Sequence, residues 1–73
     1  MANIPQTQKL LFKALRNQFE AERDTAVAIL QVYFDKPICQ PTIIKEMIEQ
    51  VQKLSDAEDN LETLKRNFIE YMS

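Results

Sequence analysis

The sequence predicts an all-α protein: a two-helix antiparallel hairpin of coiled-coil type, completed as a homodimeric four-helix bundle. Three observations carry that prediction. The chain has no glycine, the residue that primed hairpin turns and phosphate-cradling loops need. Two long runs place apolar residues at alternating spacings of three and four, as one face of a helix packed on a partner does. Between them lies DKPICQP, Asp35 to Pro41, with two of the three prolines and the single cysteine. At 73 residues the chain makes one small domain, near the lower limit for a single core. The expected organisation is one helical-hairpin domain over 1–73, with a helix over about 5–34, a bend at 35–41 and a helix over about 42–72.

The first helix can begin at Pro5, because a first turn needs no N–H from that residue. Asn3 and Gln6 stand at the spacing of a loose capping box. Its stripe is Phe12, Leu15, Phe19, Glu22, Ala26, Ile29 and Tyr33. The second helix repeats the pattern in Ile43, Met47, Gln50, Leu54, Ala57, Leu61, Leu64, Phe68 and Tyr71. A sustained 3.5-residue period implies left-handed supercoiling on a partner. SDAE, Ser55 to Glu58, has the form of a capping box, yet the heptad phase runs unbroken through it and favours one continuous helix. In the bend, Pro37 and Pro41 push Lys36 and Gln40 out of the helical region, and Thr42 is an alternative N-cap. Folding about this corner pairs residues whose numbers add to about 76: Phe12 with Leu64, Leu15 with Leu61, Ile29 with Met47, and bulky Phe19 with small Ala57.

One seam does not use all the apolar residues. Val27, Leu30 and Phe34 form a second row on the first helix, Ile44, Ile48 and Val51 form one on the second, and Ile38 lies between them in the bend. These seven are the candidate partner-binding residues. Burying six such side chains gains on the order of 10 kcal/mol gross, comparable to the ~4–15 kcal/mol cost of association. The partner is therefore a second copy, a larger protein, or both. The apolar excess at the bend favours a dimer with both bends at the same end.

Chemistry is poorly provided for. There is no histidine, so a carboxylate-bridged metal site lacks its Glu-x-x-His motifs, and Glu22 on the seam is better read as fixing register by pairing with Arg23 or Lys53. Cys39 has no histidine to activate it. The expectation is a non-enzymatic protein without catalytic, cofactor-binding or metal-ligating residues. A lone cysteine leans to a reducing compartment, the N-terminus lacks a signal pattern, and the longest apolar run, AVAIL, is far short of a membrane span. A cytoplasmic protein with no membrane association follows.

Net charge is −2, which disfavours nucleic acid as a partner. A short basic stripe, Lys9, Lys13 and Arg16, keeps a weak nucleic-acid-associated regulator as the alternative. Asp56, Glu58, Asp59 and Glu62 form the opposing acidic cluster. The leading expectation is a small acidic interaction module: an adaptor, assembly chaperone or inhibitor, of the kind phage or bacterial accessory genes encode, that docks an apolar helical face on a partner.

Overall fold

The computed structural model describes residues 5–35 and 40–72. Two long helices, α1 (Gln6–Asp35) and α2 (Pro41–Phe68), pack against each other, and a 3₁₀ turn, Ile69–Tyr71, ends the described chain. The rod measures 59 × 16 × 14 Å. The expected Asn3 cap and the bend residues Lys36, Pro37, Ile38 and Cys39 lie outside the described residues.

Proline stands at both helix starts, immediately before Gln6 in α1 and as the first residue of α2. The Pro5 carbonyl accepts from the N–H of Gln8 at 3.1 Å and of Lys9 at 3.2 Å, closing the first turn of α1. Gln40 is the N-cap of α2, extended at φ −125° and ψ 138°, and Pro41 follows as the first helical residue. Proline accounts for both features, since it forces its predecessor to extend and its own φ suits a first turn. No side chain caps this end; the Gln40 carbonyl accepts from Ile43 N–H at 3.0 Å. Helix α2 passes through Ser55 without a break, so SDAE caps nothing. Lys65 and Arg66 in its last turn complement the negative end of the helix dipole.

The seam on α2 is the one the sequence predicts as far as Leu64, with Ala57 and Leu64 buried and Ile43, Met47, Gln50, Leu54 and Leu61 half-buried. Phe68 departs from it. There the backbone leaves the helix at φ −134°, ψ 27°, and the ring is left 47% exposed. Tyr71, swung inward by the 3₁₀ turn, takes the place beside α1. Its ring lies 6.5 Å from that of Phe12 and 6.4 Å from that of Phe68, tilted on both. Such pairs are worth ~0.5–1.5 kcal/mol beyond their buried area, and this one fastens the last turn to the start of α1.

On α1 the seam keeps Phe12, Phe19, Ala26 and Tyr33 and interleaves them with Arg16, Arg23 and Leu30 in place of Leu15 and Glu22, while Ile29 stays half-buried at its edge. Glu22 is exposed and Leu15 is 48% exposed, whereas Leu30 is only 7% exposed. The two choices differ by one residue of rotation. Placing Glu22 in the seam would strip water from a short carboxylate. Arg16 and Arg23, both half-buried, can lay their aliphatic stems along the seam and keep their charges wet. Arg23 then pairs with exposed Asp24, Nε to Oδ1 at 3.0 Å, not with Glu22, which accepts from Gln18 Nε2 at 3.1 Å.

Among the described residues the buried set is small: Phe12, Ala26, Leu30, Ala57 and Leu64. Ala26 and Ala57, at 1% exposure each, are the smallest of these and allow close approach of the two backbones. Near the bend, Tyr33 Oη donates to Glu46 Oε2 at 2.8 Å. Tyr33–Glu46 pairs residues a little further along than the 76 rule, whereas Phe12–Tyr71 pairs residues seven further along because the 3₁₀ turn after Phe68 resets the register. Helical side chains lean toward their own N-terminus, so touching residues in an antiparallel pair lie about two positions beyond the residues level with each other.

Candidate docking surface

The candidate site is a surface, and its two sides follow from the helical pitch. On α1, Lys13, Glu20, Val27 and Phe34 fall ~80° to one side of the seam, and on α2 Ile44, Val51, Glu58 and Lys65 fall similarly to one side of theirs. For antiparallel helices these sides coincide, which the surface depressions bear out: Arg16, Glu20 and Arg23 share one with Lys65. This is the patch face. Leu11, Leu15, Gln18, Glu22, Thr25, Ile29 and Val32 of α1 lie on the opposite face, together with Glu46, Lys53 and Asp56 of α2. A groove of about 540 Å³ joins Gln18, Glu22, Thr25 and Ile29 to Lys53 and Asp56 there.

On the patch face, five of the seven candidate binding residues stand together at the bend half. Phe34 is 70% exposed, Ile44 60%, Ile48 52% and Val51 53%, with Val27 half-buried beside them. Single exposed apolar residues are ordinary, whereas a contiguous group of them is the kind of surface through which proteins associate, which makes this group the candidate site. Leu30 is the correction: it belongs to the core. The one-residue rotation of α1 that expelled Glu22 drew Leu30 inward. Ile38 lies outside the described residues. The surface adds apolar positions that the sequence reading had assigned elsewhere or not at all. Leu15 leaves the seam for the opposite face, where Leu11 (61% exposed) and Val32 (62%) join it.

The charged groups are arranged in layers on the open half of the patch face. Lys13 is level with Lys65, and Glu20 with Glu58, while Arg16 and Arg23 reach out from the seam between them. Lys9, Lys13 and Arg16 gather around a depression of about 380 Å³ that Phe12, Tyr71 and Met72 also line. Two of these cations, Lys9 and Arg16, are half-buried, which long side chains allow by burying the stem with the charge left in water. Exposed Glu62 pairs with Arg66 Nη2 at 3.6 Å. Tyr33 has a displaced titration. Its phenol is held above the ordinary value of 10.0, first by the hydrogen bond to Glu46, then by partial burial and the negative charges of Glu46 and Glu49. Among the described residues no three His, Cys, Asp or Glu side chains cluster so as to hold a metal. No described helix is long and apolar enough to cross a membrane. Comparison with protein-family models, with curated proteins and with solved structures found no match.

Proposed function

We propose that this hairpin is a non-enzymatic interaction module, an adaptor, assembly chaperone or inhibitor that works in the cytoplasm by docking the bend half of its patch face on a larger protein. The observation that carries the reading is the group Phe34, Ile44, Ile48 and Val51, each more than half exposed on one face of a rod whose buried core is small. An amphipathic helix laid between the α1 and α2 rows would bury all four, the helix-in-groove mode of recognition. The charge layers beyond the patch give such a partner its register, with acids opposite Arg23 and bases opposite Glu20 and Glu58. A second copy completes the rod as a four-helix bundle, because two helices alone leave most of each seam residue's surroundings open.

The test is a quantitative capture from source cells with three proteins: the wild type, Ile48→Asp, and Gln52→Asp on the outer surface of α2. Binding retained by Gln52→Asp and lost by Ile48→Asp, with helicity unchanged in both, supports docking through the patch. Equal binding by all three refutes it. The weak nucleic-acid reading rests on Lys9, Lys13 and Arg16 alone. It requires binding to duplex DNA with a logarithmic salt slope of about −3, one unit per neutralised phosphate.

A further inference from the structure

We infer that the second copy docks on the face opposite the patch, through a twofold axis perpendicular to the rod, so that the two bends point in opposite directions. It rests on the docking-module reading only in requiring that a four-helix bundle completes the hairpin; the surface is a different one.

The patch face fits a second copy badly. With the bends together, as the sequence alone had suggested, the twofold axis runs along the rod and every layer meets its own image. Lys13 and Lys65 would face their duplicates, and so would Glu20 and Glu58, and like charges brought together suppress association. With the bends opposed and the rods fully overlapped, apolar residues would meet charged ones. Overlapping only the bend halves leaves about nine residues of helix, ~13 Å at 1.5 Å per residue. Across a rod 16 Å wide that is on the order of 200 Å², against roughly 800 Å² per partner in a standard interface.

The opposite face is built as its own complement. Its α1 edge reads Leu11, Leu15, Gln18, Glu22, Thr25, Ile29, Val32: two apolar residues, three polar, two apolar. Rotation about an axis at Glu22 sets Leu11 on the second copy's Val32, Leu15 on its Ile29 and Gln18 on its Thr25. The α2 edge carries no large apolar residue, and the same axis crosses it between Lys53 and Asp56. Each Lys53 then meets the other copy's Asp56, and Glu49 meets Asn60. The centres read from the two edges agree within about two residues, some 3 Å of sliding at the helical rise. The two Glu22 side chains meet at the axis, and the like charge is offset by the two Lys53 side chains that share the central groove with them. Overlap here runs the whole length of the helices. About 45 Å by 16 Å gives roughly 700 Å² per copy, close to the standard size.

The experiment uses the full chain in a Cys39→Ser background, so that introduced thiols are the only ones. Leu11→Cys protein is mixed with Val32→Cys protein and mildly oxidised. A disulfide needs Cα atoms within about 7 Å, so the expected product joins position 11 to position 32, with the 11–11 and 32–32 products minor. Sedimentation equilibrium on uncrosslinked protein reads the charges. Lys53→Glu should weaken the dimer ~10-fold, because two exposed ion pairs turn repulsive, and adding Asp56→Lys should restore it. Helicity measured on each variant confirms that these exposed positions leave the fold unchanged.

A predominant 11–11 product would mean bends together and overturns the proposal. Dissociation by Ile48→Asp but not by Ile29→Asp would move the dimer to the patch and overturns it too. A monomer at several hundred micromolar would also sink it, while leaving the docking reading of the patch intact.

Discussion

Replacing Leu30 and Leu15 by alanine, one at a time, tests the rotation of α1 that the whole surface assignment depends on. Leu30 is 7% exposed and Leu15 is 48% exposed. Burying a leucine side chain fully is worth ~1.5–3 kcal/mol, and a cavity is added when the surroundings are closed. At Leu30 nearly all of that is lost and the space is enclosed between the helices, so the cost should be ~2.5–4 kcal/mol. At Leu15 about half the transfer gain is lost and water fills the gap, which gives ~1 kcal/mol. The ratio near three is the prediction, and it is the reverse of what a seam through Leu15, Glu22 and Ile29 would give. Urea unfolding followed by helix signal measures both, at protein concentrations low enough that dimerisation does not contribute. Equal costs, or a larger cost at Leu15, would refute the rotation and return Leu30 to the surface.

Other substitutions follow from the same packing. Ala57→Leu should destabilise the hairpin by ~1–3 kcal/mol by overpacking a position that is 1% exposed, read as a lower urea midpoint. Tyr71→Ala should free the terminal turn and cost ~1–2 kcal/mol, with faster amide exchange over residues 64–71. Phe68→Ala should cost less than Leu64→Ala, since the Phe68 ring is already half in water. For Tyr33, the neutral phenol is the form bonded to Glu46 and its folded-state pKa is raised. The stability this bond contributes is therefore fully present below the ordinary value of 10.0 and lost as pH rises through the raised one. Tyr33→Phe should remove that alkaline loss from a series of melts.

Most of the architecture was legible because it depends on period and punctuation. An absence of glycine, proline at both helix starts and a 3-4 rhythm sustained past Ser55 leave few options besides two long helices. Rotation was harder to read. Phe12, Phe19, Ala26 and Tyr33 belong to either candidate seam on α1, so the decision falls on three positions. Counting apolar residues favours Leu15, Glu22 and Ile29. The physics favours Arg16, Arg23 and Leu30, because an arginine can lie along a seam with its charge outside and a glutamate cannot. A reading that weighed side-chain length as well as polarity could have found it. The end of α2 was also illegible: nothing in RNFIEY marks Phe68 as the residue where the helix gives way, and only the rings packed around Tyr71 account for it.

For the candidate site, the cluster near the bend was legible from the surplus of apolar residues, and its membership changed by the same rotation. Leu30 went inward, while Leu15 came out to join Leu11 on the far side. That exchange is what turns one sticky face into two distinct surfaces.

The central claim is that the bend half of the patch face is for binding and contributes little to the fold. The most direct measurement is made on Ile48→Asp: its unfolding free energy and its binding to the captured partner, determined on one preparation. The account predicts stability within ~0.5 kcal/mol of wild type, as for an exposed site, together with loss of partner binding. An unfolded or markedly destabilised protein would place Ile48 in the core, and a stable protein that still binds would place the docking surface elsewhere; either result contradicts the claim.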